Sequence, residues 1–344
     1  MQSTLPLLMF MSVLFPAKLW VVPNQPVMIN VRGGGACTLV MTDFSGKLIL
    51  PTGGAGSNEA DGDQAVDLQK DYASDLNTPG TYVVWAVPKG QSLPVFEGTP
   101  LVVEVRKDPH PDVAAGMAAG ASPTPLVIHI EPLRYAKLRA DQGEMTIAFY
   151  FDSAPNTCDN FLSLAQGGFY DGLTFHRVVP DYLIQAGDPR GDGTGGPGYT
   201  IPAEFSNREH LKGVVSMARQ TDPREVDGTM PRSEYADSAG SVFFICLDSK
   251  KTRRLDHRYT AFAQVLEGLD AVDAIGKMPV GGPTGDVPTN PPAIKSMQVL
   301  PVIPSENPYA EMMHFPSPAT MPNTMAATTQ ENPSGDSPAT STAR

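Results

Sequence analysis

Eight short apolar runs between Leu126 and Val302 limit what this chain can fold into more than any other feature. They cover residues 126–132, 145–151, 174–179, 183–188, 214–218, 241–247, 261–266 and 296–302. Each is five to seven residues long, and turn residues separate them, which is strand punctuation. Eight antiparallel strands close a barrel whose interior side chains can fill. Two helices fit between the runs. Pro155 opens the first, where its missing N–H costs nothing, Phe161, Leu162 and Ala165 give it an apolar face, and Gly167-Gly168 stop it. Leu269 to Lys277 forms the second, with Leu269, Val272 and Ile275 on one stripe. The expectation for 126–303 is a mainly β domain, an eight-stranded antiparallel barrel capped by two helices.

The N-terminal part reads differently. Leu19–Val22, Val27–Arg32, Thr38–Thr42, Lys47–Leu50, Thr81–Val87 and Leu101–Arg106 are strand-like runs at the spacing of a small β-sandwich-like domain over 19–106. Gly53 to Gln64 reads as a solvated loop, and its Asp61-Gly62-Asp63 lacks the register of a calcium loop. Residues 107–125 alternate Pro with Ala and Gly and read as an inter-domain linker. Residues 304–344 are Pro, Ser, Thr, Ala and Met without periodicity, the pattern of a disordered tail. Leu5 to Phe15 followed by Ala17 resembles a secretory leader within 1–18, although no Lys or Arg precedes it. Export to a periplasmic or extracellular space is the expectation; the alternatives are that the segment is a first strand or follows a misplaced start codon, which would leave the chain cytoplasmic.

Charge and cysteine content exclude several classes. The net charge of −12 leaves no basic surface for nucleic acid, the best cationic run being Lys250–Arg254. The eleven-residue apolar stretch is too short to span a bilayer, so no stable membrane insertion is expected. Cys37, Cys158 and Cys246 form no CxxC and cannot all pair, so neither a disulfide framework nor a cysteine metal site is supported. No HExxH, GxSxG or P-loop occurs, and "GDGTGGPG" at 191–198 lacks the Lys-Ser/Thr ending of a phosphate cradle. The reading includes no metal and no cofactor.

What remains is "FHRVVPDYLIQAGDP", residues 175–189. If 175–179 is a strand, alternation sets Phe175, Arg177 and Val179 on one face. An arginine on an apolar face is either paired with a carboxylate or held out for a ligand.

The segment resembles the FHRxxPxFxxQxGDP motif of the cyclophilin family of peptidyl-prolyl isomerases. "GTGG" (193–196), "SMAR" (216–219), "GSVFFI" (240–245) and "LDHRYTAFAQV" (255–265) follow in family order, and Arg219 has the form common in bacterial members. The resemblance covers about residues 126–303. It implies a barrel with no cofactor that turns X-Pro bonds of proteins or peptides and so aids folding. Arg177 is then the catalytic arginine, assisted by Gln185, with Tyr182, Leu183, Phe244 and Leu255 walling the proline pocket. The same resemblance places Phe175, Gly193, Thr194, Gly195, Ala218, Arg219, Gln220, Val242 and Tyr259 among the substrate-binding residues.

The chain departs from the family pattern in four places. Val242 stands for the Gln of GSQFF, Arg254 for a Trp, Tyr259 for a later His, and 224–237, "REVDGTMPRSEYAD", is inserted at the pocket's rim. Two other readings stay open. One is a proline-peptide binding module with weak catalysis. The other is a surface or assembly protein in which the sandwich, whose partner the sequence does not name, carries the role.

Overall fold

The computed structural model describes residues 12–52, 58–106, 126–226 and 229–315. Its strands are β1 (Val13–Pro16), β2 (Trp20–Val21), β3 (Met28–Arg32), β4 (Cys37–Asp43), β5 (Leu48–Ile49), β6 (Glu59–Ala60), β7 (Gln64–Asp67), β8 (Gly80–Pro88), β9 (Glu97–Arg106) and β10 (Val127–Pro132). They continue with β11 (Arg134–Ala140), β12 (Gly143–Phe149), β13 (Arg177–Val179), β14 (Leu183–Ala186), β15 (Val214–Met217), β16 (Phe243–Cys246), β17 (Ala261–Glu267), β18 (Val280–Gly281), β19 (Val287–Pro288) and β20 (Ile294–Pro301).

In the N-terminal module a small sheet, β1-β3-β7, packs on a larger one ordered β2-β10-β9-β8-β4-β5. Leu14, Ile29, Val31 and Val66 from the first meet Leu39, Met41, Val84, Leu101, Val103 and Ile130 from the second. The residues between them along β4, β8 and β9, among them Val40, Val83, Trp85 and Val102, face the other way into a core shared with the C-terminal sheet. Alternation therefore buries both faces of the larger sheet, which is why Tyr82–Val87 and Leu101–Val103 are unbroken apolar runs. Each buried Val or Leu contributes roughly 1.5–3 kcal/mol, so this sheet is held from two sides.

The C-terminal sheet has eight antiparallel strands in the order β13-β14-β16-β15-β17-β12-β11-β20. Its seam is drawn together where Thr174 bridges Ala293 and the Phe175 N–H donates to the Pro292 carbonyl at 2.9 Å. Helices Pro155–Gln166 and Leu269–Gly276 pack on it, burying Phe161, Leu162, Val272 and Ile275. The chain is mainly β, an eight-stranded curled antiparallel sheet with few helices.

The described residues depart from four expectations. Residues 126–132 are not a barrel strand: β10 pairs antiparallel with β9, from Val127↔Arg106 to Pro132↔Leu101. The first barrel strand is instead β11, whose Arg134, Lys137 and Arg139 interrupt its apolar run. It follows that 107–125, which lie outside the described residues, connect two paired strands of one sheet and do not separate two domains. Composition says nothing of what this stretch joins; the pairing of the strands on either side decides that.

Nor do residues 304–315 behave as the start of a free tail. A 3-10 turn at Pro308–Glu311 buries Tyr309 completely. The tail's remainder, 316–344, lies outside the described residues. Finally, part of the leader-like segment is built into the fold, since β1 pairs with β3 from Val13↔Arg32 to Pro16↔Ile29. A cut after Ala17 would remove that strand; residues 1–11 lie outside the described residues.

Candidate active site

Strand alternation sorts side chains to the two faces of the C-terminal sheet. Phe243 and Ile245 of β16 point into the main core, while Phe244 and Cys246 join a separate cluster on the opposite face. That cluster holds Leu183, Val214, Phe244, Leu255 and Ala261, with Val179, Tyr182, Ala218 and Tyr259 packed against it. Tyr259 meets the Phe244 ring edge-on at 5.6 Å. The cross-strand pairs Arg177↔Gln185, Gln185↔Phe244 and Ser216↔Phe244 put a guanidinium, an amide and an aromatic ring in one row.

Arg177 is 41% exposed in its side chain. Its Nε donates to Asp286 Oδ2 at 2.6 Å and its Nη1 to Gln185 Oε1 at 3.3 Å. Gln185 Nε2 in turn lies 3.4 Å from His176 Nε2. Burial lowers the pKa of His176 despite the nearby Asp188, so the ring is neutral at neutral pH. Arg177 thus does both things its position allowed: one edge is paired with a carboxylate, and the rest is left toward solvent beside an apolar cluster.

The sequence-derived site residues divide into groups. Arg177, Gln185, Tyr182, Leu183, Phe244, Leu255, Ala218 and Tyr259 are brought together as described. Phe175 is not with them: it precedes β13, is fully buried, and meets Phe243 at 6.5 Å in the main core. The irregular backbone at 175–176 breaks the alternation that set it beside Arg177. Gly193 and Thr194 sit on an exposed loop held by Asp188, which accepts the N–H groups of Arg190 and Gly193. At Gly195 a Cβ would stand 1.9 Å from Asp188 Oδ1, so the close approach of this hydrogen-bonded carboxylate disfavours any side chain there. Val242 is half-buried and accepts the Ala218 N–H through its carbonyl, and Gln220 is exposed.

Arg219 does not reach outward. Its side chain is 2% exposed, lies over the Tyr259 ring at 4.4 Å, and donates to both oxygens of Glu225 at 2.8 Å. Arg258 closes on the same carboxylate at 2.7 Å. The insert is thereby fastened to the rim, and a bidentate Asp222–Arg232 pair ties its other end. Arg254 stacks on Tyr182 at 4.6 Å and donates to its hydroxyl at 3.0 Å. Asp286, Thr284 and Glu225 were not singled out in the sequence.

Two other constellations carry no reaction. Ser216 Oγ, His210 Nε2 and Asp256 are linked at 3.1 and 3.0 Å like a hydrolytic triad. Ser216 and His210 are fully buried and the hydroxyl also donates to the Thr260 carbonyl, so no substrate reaches it. Glu104, His129 and Asp159 have metal-ligand spacing, but the Arg106 guanidinium bridges Glu104 and Asp159.

This second cluster sits between the larger sheet and helix Pro155–Gln166, with the Glu131–Arg134 pair beside it. Burial pushes the Glu131 carboxyl up to about 8, Asp159 adds to the rise, and Arg134 opposes it. A carboxyl raised in the folded state binds its proton more tightly there than in the unfolded chain. Its stabilising contribution is therefore complete below about 4.5 and is lost as pH rises through about 8. Glu131→Gln should keep Tm nearly level from pH 6 to 9 where the wild type declines. Parallel melting curves for the two proteins would overturn this reading.

An eight-stranded β sheet with an arginine, a glutamine and an aromatic cluster in one outer row suits a class of enzyme that works by binding and polarising a bond. The comparisons agree with that class. A profile described as cyclophilin type peptidyl-prolyl cis-trans isomerase/CLD matches residues 135–299. The peptidyl-prolyl cis-trans isomerase of Synechococcus elongatus is 43% identical over 129 residues, 38% of this chain and 78% of that one. Peptidyl-prolyl cis-trans isomerase B of Bacillus subtilis is 39% identical over 135 residues, 39% and 83% of the two chains. Peptidyl-prolyl cis-trans isomerase-like 3 of Rattus norvegicus is 33% identical over 179 residues, 51% and 98%. A crystal structure of a Cryptosporidium parvum cyclophilin type isomerase, determined in the presence of the dipeptide Ala-Pro, aligns with TM-score 0.42 at 24% identity. It covers 49% of this chain and 99% of that one.

The chain belongs to the cyclophilin-type peptidyl-prolyl cis-trans isomerases. It is an isomerase of X-Pro peptide bonds, carrying an additional N-terminal β module. Among the described residues no helix is long and apolar enough to cross a membrane.

Proposed function

We propose that this isomerase acts on proline-containing polypeptides through Arg177, with the proline ring received by the cluster of Tyr182, Leu183, Phe244, Leu255 and Tyr259. The barrier to be lowered is ~18–20 kcal/mol, because rotation destroys amide resonance. In the twisted state the proline nitrogen regains a basic lone pair. A fixed cationic donor can then bind it, whereas the planar ground state offers no such acceptor. A ~10⁵-fold acceleration needs only ~7 kcal/mol, within reach of one charge-assisted bond plus orientation beside an apolar wall.

The observation that carries this reading is the pairing of Arg177 with Gln185 and of Gln185 with Phe244 across neighbouring strands. It supports the reading because Arg177 and Gln185 share a row with the Phe244 ring on neighbouring strands, while Tyr182, Leu255 and Tyr259 pack against that ring's cluster from the adjoining turns. Gln185, with its Oε1 already accepting from Arg177, serves to orient the guanidinium and to hydrogen-bond the peptide backbone. Aid to folding of client chains follows from the same chemistry, since X-Pro isomerisation is slow enough to limit folding. The test is a protease-coupled or exchange-NMR isomerisation assay on the full chain and on an arginine-deleted variant. A wild type that binds proline peptides but does not turn them over would favour a binding module instead.

A further inference from the structure

We propose that Asp286 is a positioning residue for the reaction, holding the Arg177 guanidinium in the plane from which its Nη groups meet the substrate. The inference rests on the role given above to Arg177. Asp286 lies 109 positions away in sequence, in the turn between β18 and β19. That turn is shaped by Gly282 and Gly285, both at positive φ (78° and 75°), with the Gly285 N–H donating to the Gly282 carbonyl at 3.2 Å. It is docked on the site strand by its backbone, because the Asp286 carbonyl accepts the Val178 N–H at 2.8 Å.

The side chain is then fixed at both oxygens. Oδ2 accepts Arg177 Nε–H at 2.6 Å and Oδ1 accepts the Thr284 hydroxyl. Burial alone would raise this carboxyl, but the bonds from Thr284 and Arg177 outweigh it and hold it below its ordinary value. On the guanidinium, Asp286 takes the Nε edge and Gln185 takes one Nη1 donor, the second bond being longer at 3.3 Å. A guanidinium has five N–H groups in one rigid plane. Two are therefore committed to the protein, and the other three have no partner among the described residues. Fixing the plane in advance removes a rotor that would otherwise have to be ordered at each encounter.

The sign of the effect separates positioning from plain electrostatics. A carboxylate beside Arg177 offsets its charge. If charge alone mattered, neutralising Asp286 would raise activity; if orientation matters, it lowers it. In full-length protein, Asp286→Asn is expected to lower the rate of exchange on the bound peptide about tenfold while KM changes little. Thr284→Val, which frees only Oδ1, should fall between the two. The ¹⁵N-attached Nε–H resonance of Arg177, shifted and slow to exchange in the wild type, should move to the position of a solvated arginine in Asp286→Asn.

Coupling is read in the Arg177→Lys background, which lacks Nε–H: there Asp286→Asn should cost less than twofold. Equal or higher activity in Asp286→Asn overturns the proposal, and so does a tenfold loss that persists in the Arg177→Lys background. Should Asp286→Asn fail to fold, Thr284→Val decides, and unchanged activity with an unmoved Nε–H resonance overturns the proposal. Full activity in Arg177→Ala would instead defeat the role assigned to Arg177 itself, an outcome distinct from any of these.

Discussion

Replacing Arg177 by alanine should lower kcat/KM by about 10² to 10³ fold, or ~2.7–4 kcal/mol, the scale on which a preorganised donor to a transition state acts when it is removed. The loss should fall on the isomerisation step more than on peptide binding, because the planar substrate gives the guanidinium no lone pair to hold. Stability should change little. Arg177 is 41% exposed and its ion pair with Asp286 is partly solvated, so screening leaves that pair worth little to the fold. Arg177→Lys should rescue poorly, since a flexible, strongly hydrated ammonium cannot keep the two protein bonds and still present a donor. Val242→Gln is the companion change. Residue 242 is half-buried beside Ala218, and a modest gain would show that the natural valine leaves the peptide backbone short of a partner. Near-full turnover by Arg177→Ala, with contaminating isomerase excluded, would end the mechanism.

The grouping of Arg177 with the apolar cluster was legible in the sequence and its contact with Asp286 was not, for a physical reason. Leu183, Phe244 and Tyr259 lie in or beside strands, where alternation and motif order fix which face each takes. Asp286 is reached only through a turn, 109 positions from its partner, and no local pattern records such a contact. Phe175 went wrong in the opposite way. Alternation was applied to 175–179, but regular strand begins at Arg177, and the preceding residues bend Phe175 into the main core.

Strand counting met a similar limit. Val127–Pro132 is apolar and β-like, yet nothing within six residues says whether it pairs with β9 or with the barrel. Arg134–Ala140, which does belong to the barrel, is interrupted by three cations, of which only Arg139 is exposed, so its buried Tyr135, Ala136, Leu138 and Ala140 did not stand out. The number of barrel strands came out as eight on both counts, with one strand exchanged. Fold class thus survives a local error that the domain boundary does not.

Tyr309→Ala should destabilise the folded chain by ~3–5 kcal/mol, the range for deleting a fully buried aromatic side chain. Tyr309 has no exposed surface, and its ring meets Phe44 of the N-terminal module edge-on at 6.0 Å. Its hydroxyl accepts the Phe149 N–H at 2.9 Å and donates to the Arg134 carbonyl at 2.7 Å, satisfying two backbone groups of adjacent barrel strands at once. Six residues on, Phe315 packs against Trp85 at 5.3 Å, and the His314 N–H donates to Ser45 at 2.6 Å. Residues 308–315 therefore lie across the junction of the two sheets. A Pro-rich composition concealed this, because one buried ring makes no periodic pattern. Tyr309→Phe should cost only ~1–3 kcal/mol, the penalty of leaving the Phe149 N–H and Arg134 carbonyl unpaired. A chain ending at 315 should melt well above one ending at 303, and equal melting temperatures for the two would show that this segment fastens nothing.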